Sequence, residues 1–451
     1  MHAIEVSFHL LTFEGHDAYA RAGGLASRVI GLSGALADLN FDTHVWFVGD
    51  PELPAHERRG RLQLHRWSQW ISRYHPGGVY DGVEGKQSDY SASLPPYLYR
   101  EIVNALDAKP TRRVVILAEE WQTVDAVLHL DWLLRGAGLR DKVRILWNAN
   151  NVFGFERIDW QRLRAAATVT TVSRYMRHLM WQQRVDALVL PNGLSKEAYE
   201  RPAAGATREL RHRLQGRTAL TKVARWDPDK RWLLAVDTVA ALKHQGHRPL
   251  LIARGGQEAH GSDVFARAAR LGLRVAERRQ HDDSVGAMIG ALDDLDAVDL
   301  LSLQAPLSPA ACRVLYRGAD AVLANSGHEP FGLVGLETMA AGGLACVGGT
   351  GEDYAQAGWN ALVLQENEPL EFIRNFARLA SNPGDAVAMR RRGMSAARQF
   401  AWPEVLRRNV FPLLDLPTDG GGERHSGATV HSIGGDLHEQ TLPLAAAADG
   451  Y

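Results

Sequence analysis

Ala319-Asp320-Ala321-Val322-Leu323-Ala324, then Asn325-Ser326-Gly327-His328-Glu329-Pro330-Phe331-Gly332-Leu333-Val334-Gly335-Leu336-Glu337-Thr338-Met339-Ala340-Ala341-Gly342-Gly343, is the stretch that decides the fold. Its first part is a short apolar run stopped by Asn-Ser-Gly, which reads as a buried strand. The segment from about Gly332 to Ala341 reads as a helix, followed by two glycines. Glu329 then sits in the loop at the strand's C-terminal edge, and Glu337 a turn or so into the helix, able to face the same space. Between them the helix start offers unpaired backbone N–H groups and the positive end of a dipole, which suits a phosphate. Two carboxylates flanking an anion site fit a ligand with hydroxyls at both ends of a diphosphate. Taken alone, the stretch reads equally well as a capped amphipathic helix with a solvated glutamate.

The same alternation extends in both directions. In the first half, strands are expected at Ile4–Leu11, His44–Val48, Arg113–Leu117, Arg144–Trp147, Thr168–Val172 and Leu188–Leu190. In the second half they are expected at Leu220–Ala224, Pro249–Ala253, Leu273–Ala276, Val298–Leu303, Ala321–Ala324, Leu344–Val347 and Ala361–Leu364. Strands separated by helix-length segments indicate βαβ units, hence an α/β chain with two Rossmann-like, doubly wound domains. The expected first domain is 1–192, with an insertion at about 51–100, and a hinge over 193–217 opens at Pro191-Asn192-Gly193. The second domain is expected at 218–401, a helix crossing back to the first domain at 402–417, and a disordered Gly- and Ala-rich tail at 418–451. Ligands of such folds bind outside the carboxyl ends of the strands, so two facing domains make a cleft. The insertion carries Trp67, Trp70, Tyr74, Tyr80, Tyr90, Tyr97 and Tyr99, which could be sugar platforms or a satellite core.

Composition limits the classes of function. The chain has 451 residues, 45% hydrophobic and 23% charged, with a formal net charge of −1. No global field recruits nucleic acid or an anionic membrane. The basic runs Arg208 to Arg217 and Arg390-Arg391-Arg392 read as solvated helix faces. Only Cys312 and Cys346 occur, so no disulfide framework is expected and a reducing cytoplasm is the default. No signal peptide or membrane-spanning run is read, and no metal-ligand pattern. The sequence leaves the oligomeric state open.

Two further segments supply what an anion site needs. Lys222-Val223-Ala224-Arg225-Trp226-Asp227-Pro228-Asp229-Lys230 ends a strand and places Arg225 and Lys230 around an Asp-Pro turn. A guanidinium fork and a point charge suit a diphosphate leaving group. Arg21-Ala22-Gly23-Gly24-Leu25 follows the first strand, and its glycines allow backbone amides close to a ligand. Neither this loop nor Gly348-Gly349-Thr350-Gly351 is a Gly-x-Gly-x-x-Gly dinucleotide fingerprint.

In this order the segments resemble retaining glycosyltransferases of family 4, with the GT-B fold, and their glycogen and starch synthase-like relatives. The resemblance spans nearly all of 1–415 and also draws on Thr171-Val172-Ser173-Arg174-Tyr175, Gly348-Gly349-Thr350-Gly351-Glu352 and Phe400-Ala401-Trp402. It implies transfer of a sugar, such as glucose, from a nucleoside-diphosphate sugar to a hydroxyl-bearing acceptor, with retained configuration and with no cofactor or metal. It assigns Arg225 and Lys230 to the diphosphate, Glu329 to the donor sugar and Glu337 to the ribose hydroxyls. Gly23, Gly24, Gly332, Leu333 and Val334 line the donor, whose sugar Asn150 also contacts. Three departures stand out. Asn150-Asn151 replaces a His-Asn pair, Glu119-Glu120-Trp121-Gln122-Thr123 replaces His-Asp-Trp-Gln-Thr, and Arg21 stands where glycogen synthases carry lysine. Two rival readings are an inactive nucleotide-sugar-binding scaffold or regulator, and another nucleotide-sugar enzyme such as an epimerase or hydrolase.

Overall fold

The computed structural model describes residues 5–416; the tail expected at 418–451 lies outside them. The first sheet contains β1 (Val6–Leu11), β2 (Asp42–Val48), β3 (His56–Arg59), β4 (Leu62–Trp67), β5 (Arg113–Glu119), β6 (Val143–Ala149), β7 (Thr168–Thr171) and β8 (Leu188–Val189). Its strand order is β3-β4-β2-β1-β5-β6-β7-β8, parallel except for β3 against β4. The second sheet contains β9 (Thr218–Val223), β10 (Pro249–Arg254), β11 (Val275–Arg278), β12 (Leu300–Leu303), β13 (Ala321–Ala324), β14 (Ala345–Val347) and β15 (Leu362–Val363). Its order is β11-β12-β10-β9-β13-β14-β15, all parallel. Central strands such as Val114-Val115-Ile116-Leu117-Ala118 are buried on both faces, as parallel strands covered by helices must be.

Residues 51–100, expected as an insertion, are integrated into the first domain. They supply β3 and β4, which extend the first sheet, and most of the helix Val83–Ala108 that returns to β5. Of the aromatics there, Tyr90 is fully buried and Trp67 meets Tyr97 edge-on at 5.3 Å, so these form core. Trp70 and Tyr74 stay exposed.

The chain returns to the first domain after the second sheet. Trp402 N–H donates to Leu194 O at 3.2 Å, and the Trp402 ring packs where a side chain on Gly31 or Gly193 would otherwise go. The returning segment is less regular than the single helix expected: an α-turn at Trp402–Val405, a π-turn at Leu406–Val410 and a 3-10 turn at Phe411–Leu414. Phe411 meets Phe41, and Arg113 Nη1 reaches Leu414 O. Among the described residues no helix is long and apolar enough to cross a membrane.

Candidate functional site

The helix Leu333–Ala340 fixes the geometry of the second domain's edge. Gly332 caps it with φ +76°, and a Cβ there would meet Glu352 Cγ at 2.8 Å. At the far end Gly342, φ +75°, lets its own N–H reach Met339 O and the Gly343 N–H reach Thr338 O, a glycine C-terminal closure. The loop before the helix is held by β14's loop. Gly351 N–H donates to Glu329 O at 2.9 Å, and Glu329 N–H donates to Thr350 Oγ1 at 2.9 Å. Gly351 has no room for a side chain, since a Cβ would fall 2.2 Å from the carbonyl oxygens of Glu329 and Pro330.

Glu329 Oε2 accepts from Lys230 Nζ at 2.7 Å and from Ser326 Oγ at 2.8 Å. The Lys230 and Glu329 side chains are 21% and 19% exposed, so the pair sits at a concave rim. Lys230 is held in place by Asp229, whose backbone carbonyl accepts from Gly327 N and whose carboxylate accepts from His328 N. Arg225 is not drawn into this pair: its side chain is exposed and makes no hydrogen bond, while its carbonyl accepts from Trp232 Nε1. Glu337 is half-buried one helical turn in, its carboxylate without a hydrogen-bond partner among the described residues, and burial pushes it up to about 7. Beneath the strand ends, Lys222 is buried and donates to Leu323 O at 2.9 Å; burial pulls its ammonium down to about 7.

Across the cleft, helix Gly24–Asp38 points its N-terminus at the start of helix Leu333–Ala340: a Cβ on Gly24 would lie 4.0 Å from Leu333 Cδ1. Two positive helix ends therefore lie near one another. The sequence gives no sign of what occupies part of the first one. Glu14 Oε2 accepts from the backbone N–H groups of Ala22, Gly23 and Ala26 at 3.2, 3.0 and 3.0 Å, and Glu14 Oε1 accepts from Tyr80 Oη at 2.8 Å. The Gly23 amide, expected to face the donor, is thus committed within the protein. The Gly24 amide is not among those Glu14 takes.

The rest of the first-domain edge is a buried polar network. Glu119 accepts from Arg28 Nε, Asn148 Nδ2 and Asn150 Nδ2 at 2.9, 2.9 and 2.8 Å. Arg28 continues to Asn192 Oδ1 at 2.7 Å, tying the Pro191-Asn192-Gly193 turn to the cleft helix. Glu120 follows with φ +69°, a strained conformation for a residue with a side chain. Its Oε1 accepts from Asn150 N–H at 2.7 Å, and burial, aided by the charges of Glu119 and Glu14, pushes it up to about 8. Asn150 is therefore held by two glutamates through its donors. The domains also touch through Arg174, whose N–H and Nε donate to Asp353 at 2.9 and 3.0 Å.

Sequence reasoning missed Glu14, Ser326, Thr350 and Glu352. Glu352 is buried, accepts from Thr350 N–H at 3.0 Å, and is pushed up to about 7 by burial and the nearby Glu329 charge. Thr350 and Glu352 lie within a recognised glycine-rich segment; Glu14 and Ser326 carried no signal.

Two parallel-stranded domains with facing strand edges and a returning C-terminal segment define the GT-B fold. Solved structures agree. Sucrose-phosphate synthase from Thermosynechococcus elongatus aligns with TM-score 0.60 at 18% identity, over 91% of this chain and 99% of that one. The catalytic domain of starch synthase IV from Arabidopsis thaliana, bound to ADP and acarbose, aligns with TM-score 0.63 at 15% identity, over 90% and 99%. In sequence, the chain is similar to D-inositol 3-phosphate glycosyltransferases. That of Kineococcus radiotolerans is 30% identical over 161 residues, 32% of this chain and 36% of the relative. That of Corynebacterium urealyticum is 29% identical over 126 residues, 27% and 30%. The matched part of this chain spans about a third of the length of these relatives. No family model matches. These relatives are glycosyltransferases, the class the motifs resemble.

Proposed function

We propose that this chain is a retaining glycosyltransferase that moves a hexose, such as glucose, from a nucleoside-diphosphate sugar to a hydroxyl acceptor without a metal. The observation that carries the reading is the Lys230–Glu329 pair beside a helix N-terminus that faces the Gly24 helix across the cleft. The bond between the sugar's anomeric carbon and the β-phosphate oxygen breaks, and its electron pair leaves with the nucleoside diphosphate. A bond from the acceptor oxygen to the same face of that carbon forms, and the acceptor's proton passes to the departing phosphate oxygen. Lys230, Arg225, the Gly24 amide and the helix start at Leu333 offset the charge that grows on the diphosphate. Glu329, anchored by Ser326 and Thr350, holds the donor sugar and supports oxocarbenium character. Glu337, whose carboxylate has no partner among the described residues, takes the ribose hydroxyls. Asn150, held by Glu119 and Glu120, contacts the donor sugar.

Thermal denaturation with UDP, ADP and GDP identifies the nucleotide, since a ligand at 100 times its dissociation constant stabilises by about 2.7 kcal/mol. The matching sugar nucleotides are then incubated with myo-inositol, inositol phosphates and sugar phosphates, with and without EDTA, and the anomer formed is read by proton NMR. Nucleotide binding without turnover on any acceptor favours a scaffold, release without acceptor a hydrolase, and an inverted product refutes retention.

A further inference from the structure

The second sheet has another edge, at the N-terminal ends of its strands, away from the cleft. There the helices Pro369–Ser381 and Pro383–Arg398 roof a cavity of about 430 Å3. Arg211, Arg317, Arg390 and Arg391 line it, with Asp320 as the one carboxylate. Leu344, Phe376 and Leu379 form an apolar wall. None of the four guanidiniums has a carboxylate partner among the described residues. Arg211 donates to Arg317 O at 3.1 Å and Arg390 Nη2 to Asp320 O at 2.9 Å, while Arg317 Nη1 donates to Gly342 O. Arg390 Nη1 is buried with no partner among the described residues. Burial and the charges of Arg211 and Arg317, against the opposing charge of Asp320, pull Arg390 down to about 10.

We propose that this cavity is a second ligand site, taking a small phosphomonoester with an apolar body, and that its occupancy is linked to nucleotide binding. Forked guanidiniums match phosphate oxygens, and a doubly charged phosphate relieves their mutual repulsion. The apolar wall takes the carbon body, and the volume lies within the range of small-molecule sites. The linkage runs through Arg317: its hydrogen-bond acceptor, Gly342 O, ends the helix whose other end carries Leu333 and whose middle carries Glu337. A phosphate that draws Arg317 away from Gly342 acts on that helix. The linkage rests on the donor-site reading; the binding itself does not.

The test is calorimetric titration of the full chain with n-hexyl phosphate and with inorganic phosphate, in saturating nucleoside diphosphate. Saturable binding is expected, about ten-fold tighter for the hexyl ester because its alkyl chain is buried. Arg390→Gln and Arg391→Gln should each weaken it about ten-fold. Arg391 is exposed and makes no hydrogen bond among the described residues, so its variant tests the site even if Arg390→Gln, which loses a bond to Asp320 O, fails to fold. Absent saturation, displacement by nucleotide, or unchanged affinity in Arg391→Gln overturns the site. Binding to phosphatidic acid vesicles with none to hexyl phosphate overturns the small-ligand assignment. The nucleotide's dissociation constant should shift about five-fold when the ester is bound, and a reciprocal shift must follow; an unchanged constant overturns the linkage while leaving transfer activity untouched.

Discussion

Replacing Lys230 with alanine separates catalysis from stability. The ammonium lies 2.7 Å from Glu329 Oε2, with both side chains about a fifth exposed. In the folded chain without donor, losing a pair this close to solvent costs about 1 kcal/mol, and Glu329 keeps its bond from Ser326 Oγ at 2.8 Å. For a domain of this size that is a Tm drop of about 2–4 °C. In the transition state the same ammonium faces a leaving diphosphate with water excluded. Removing one such preorganised group costs about 2.7–4 kcal/mol, a fall in kcat of about 10²–10³-fold. Steady-state nucleotide release, run beside thermal denaturation, measures both. Binding of the nucleoside diphosphate should weaken and binding of the bare nucleoside should not. Lys230→Ala combined with Glu329→Ala should lose far less than the product of the single losses, because the two act as a unit. A folded Lys230→Ala enzyme with kcat within about three-fold of the parent, or equal weakening of diphosphate and nucleoside, refutes the reasoning.

Glu337→Gln should stabilise the unliganded protein at pH 8 by about 1–3 kcal/mol, because burial raises the folded carboxyl to about 7 and ionisation of the unfolded chain above its ordinary 4.5 favours unfolding. The same variant should bind nucleotide more weakly; urea melts at pH 5 and 8 and a nucleotide titration check both, and equal stabilisation at the two pH values counts against it. Acid should destabilise the fold through His65 and His16, which burial lowers from 6.5 to about 3 and about 4. The unfolded chain then binds more protons between pH 6.5 and those values, so stability falls as pH drops through that window. His65 stacks on Trp46 at 3.8 Å, and His65→Phe should keep that contact while flattening the Tm-against-pH slope from pH 6.5 to 4. Gly351→Ala should cost about 1–3 kcal/mol and most of the activity, since its Cβ must displace the Glu329 carbonyl; a variant with parental Tm and kcat refutes the tight loop.

Most strands of both sheets were legible because strands buried on two faces read as continuous apolar runs, and Ala321–Ala324 matches its expected bounds. His56–Arg59 and Leu62–Trp67 were missed for the opposite reason. His56–Arg59 is the edge strand, and its neighbour Leu62–Trp67 alternates buried with half-buried residues, so no apolar run forms. The helix after them hides behind Pro95 and Pro96 in its interior. At the site, each half of the Lys230–Glu329 pair was visible in its own motif, but their meeting across 99 residues is a property of the fold. Glu14 is harder still, since a single carboxylate becomes meaningful only where a loop folds three amides onto it. The arginines show the same limit at its sharpest. The runs Arg208 to Arg217 and Arg390-Arg391-Arg392 read singly as solvated helix faces, and most of their residues are that. Packing the helices against one strand edge brings Arg211, Arg317 and Arg390 to one cavity and leaves Arg317 and Arg390 half-buried there. A charge run reports how many cations a helix carries; only the packing decides which of them lose their water, and those are the ones left needing an anion.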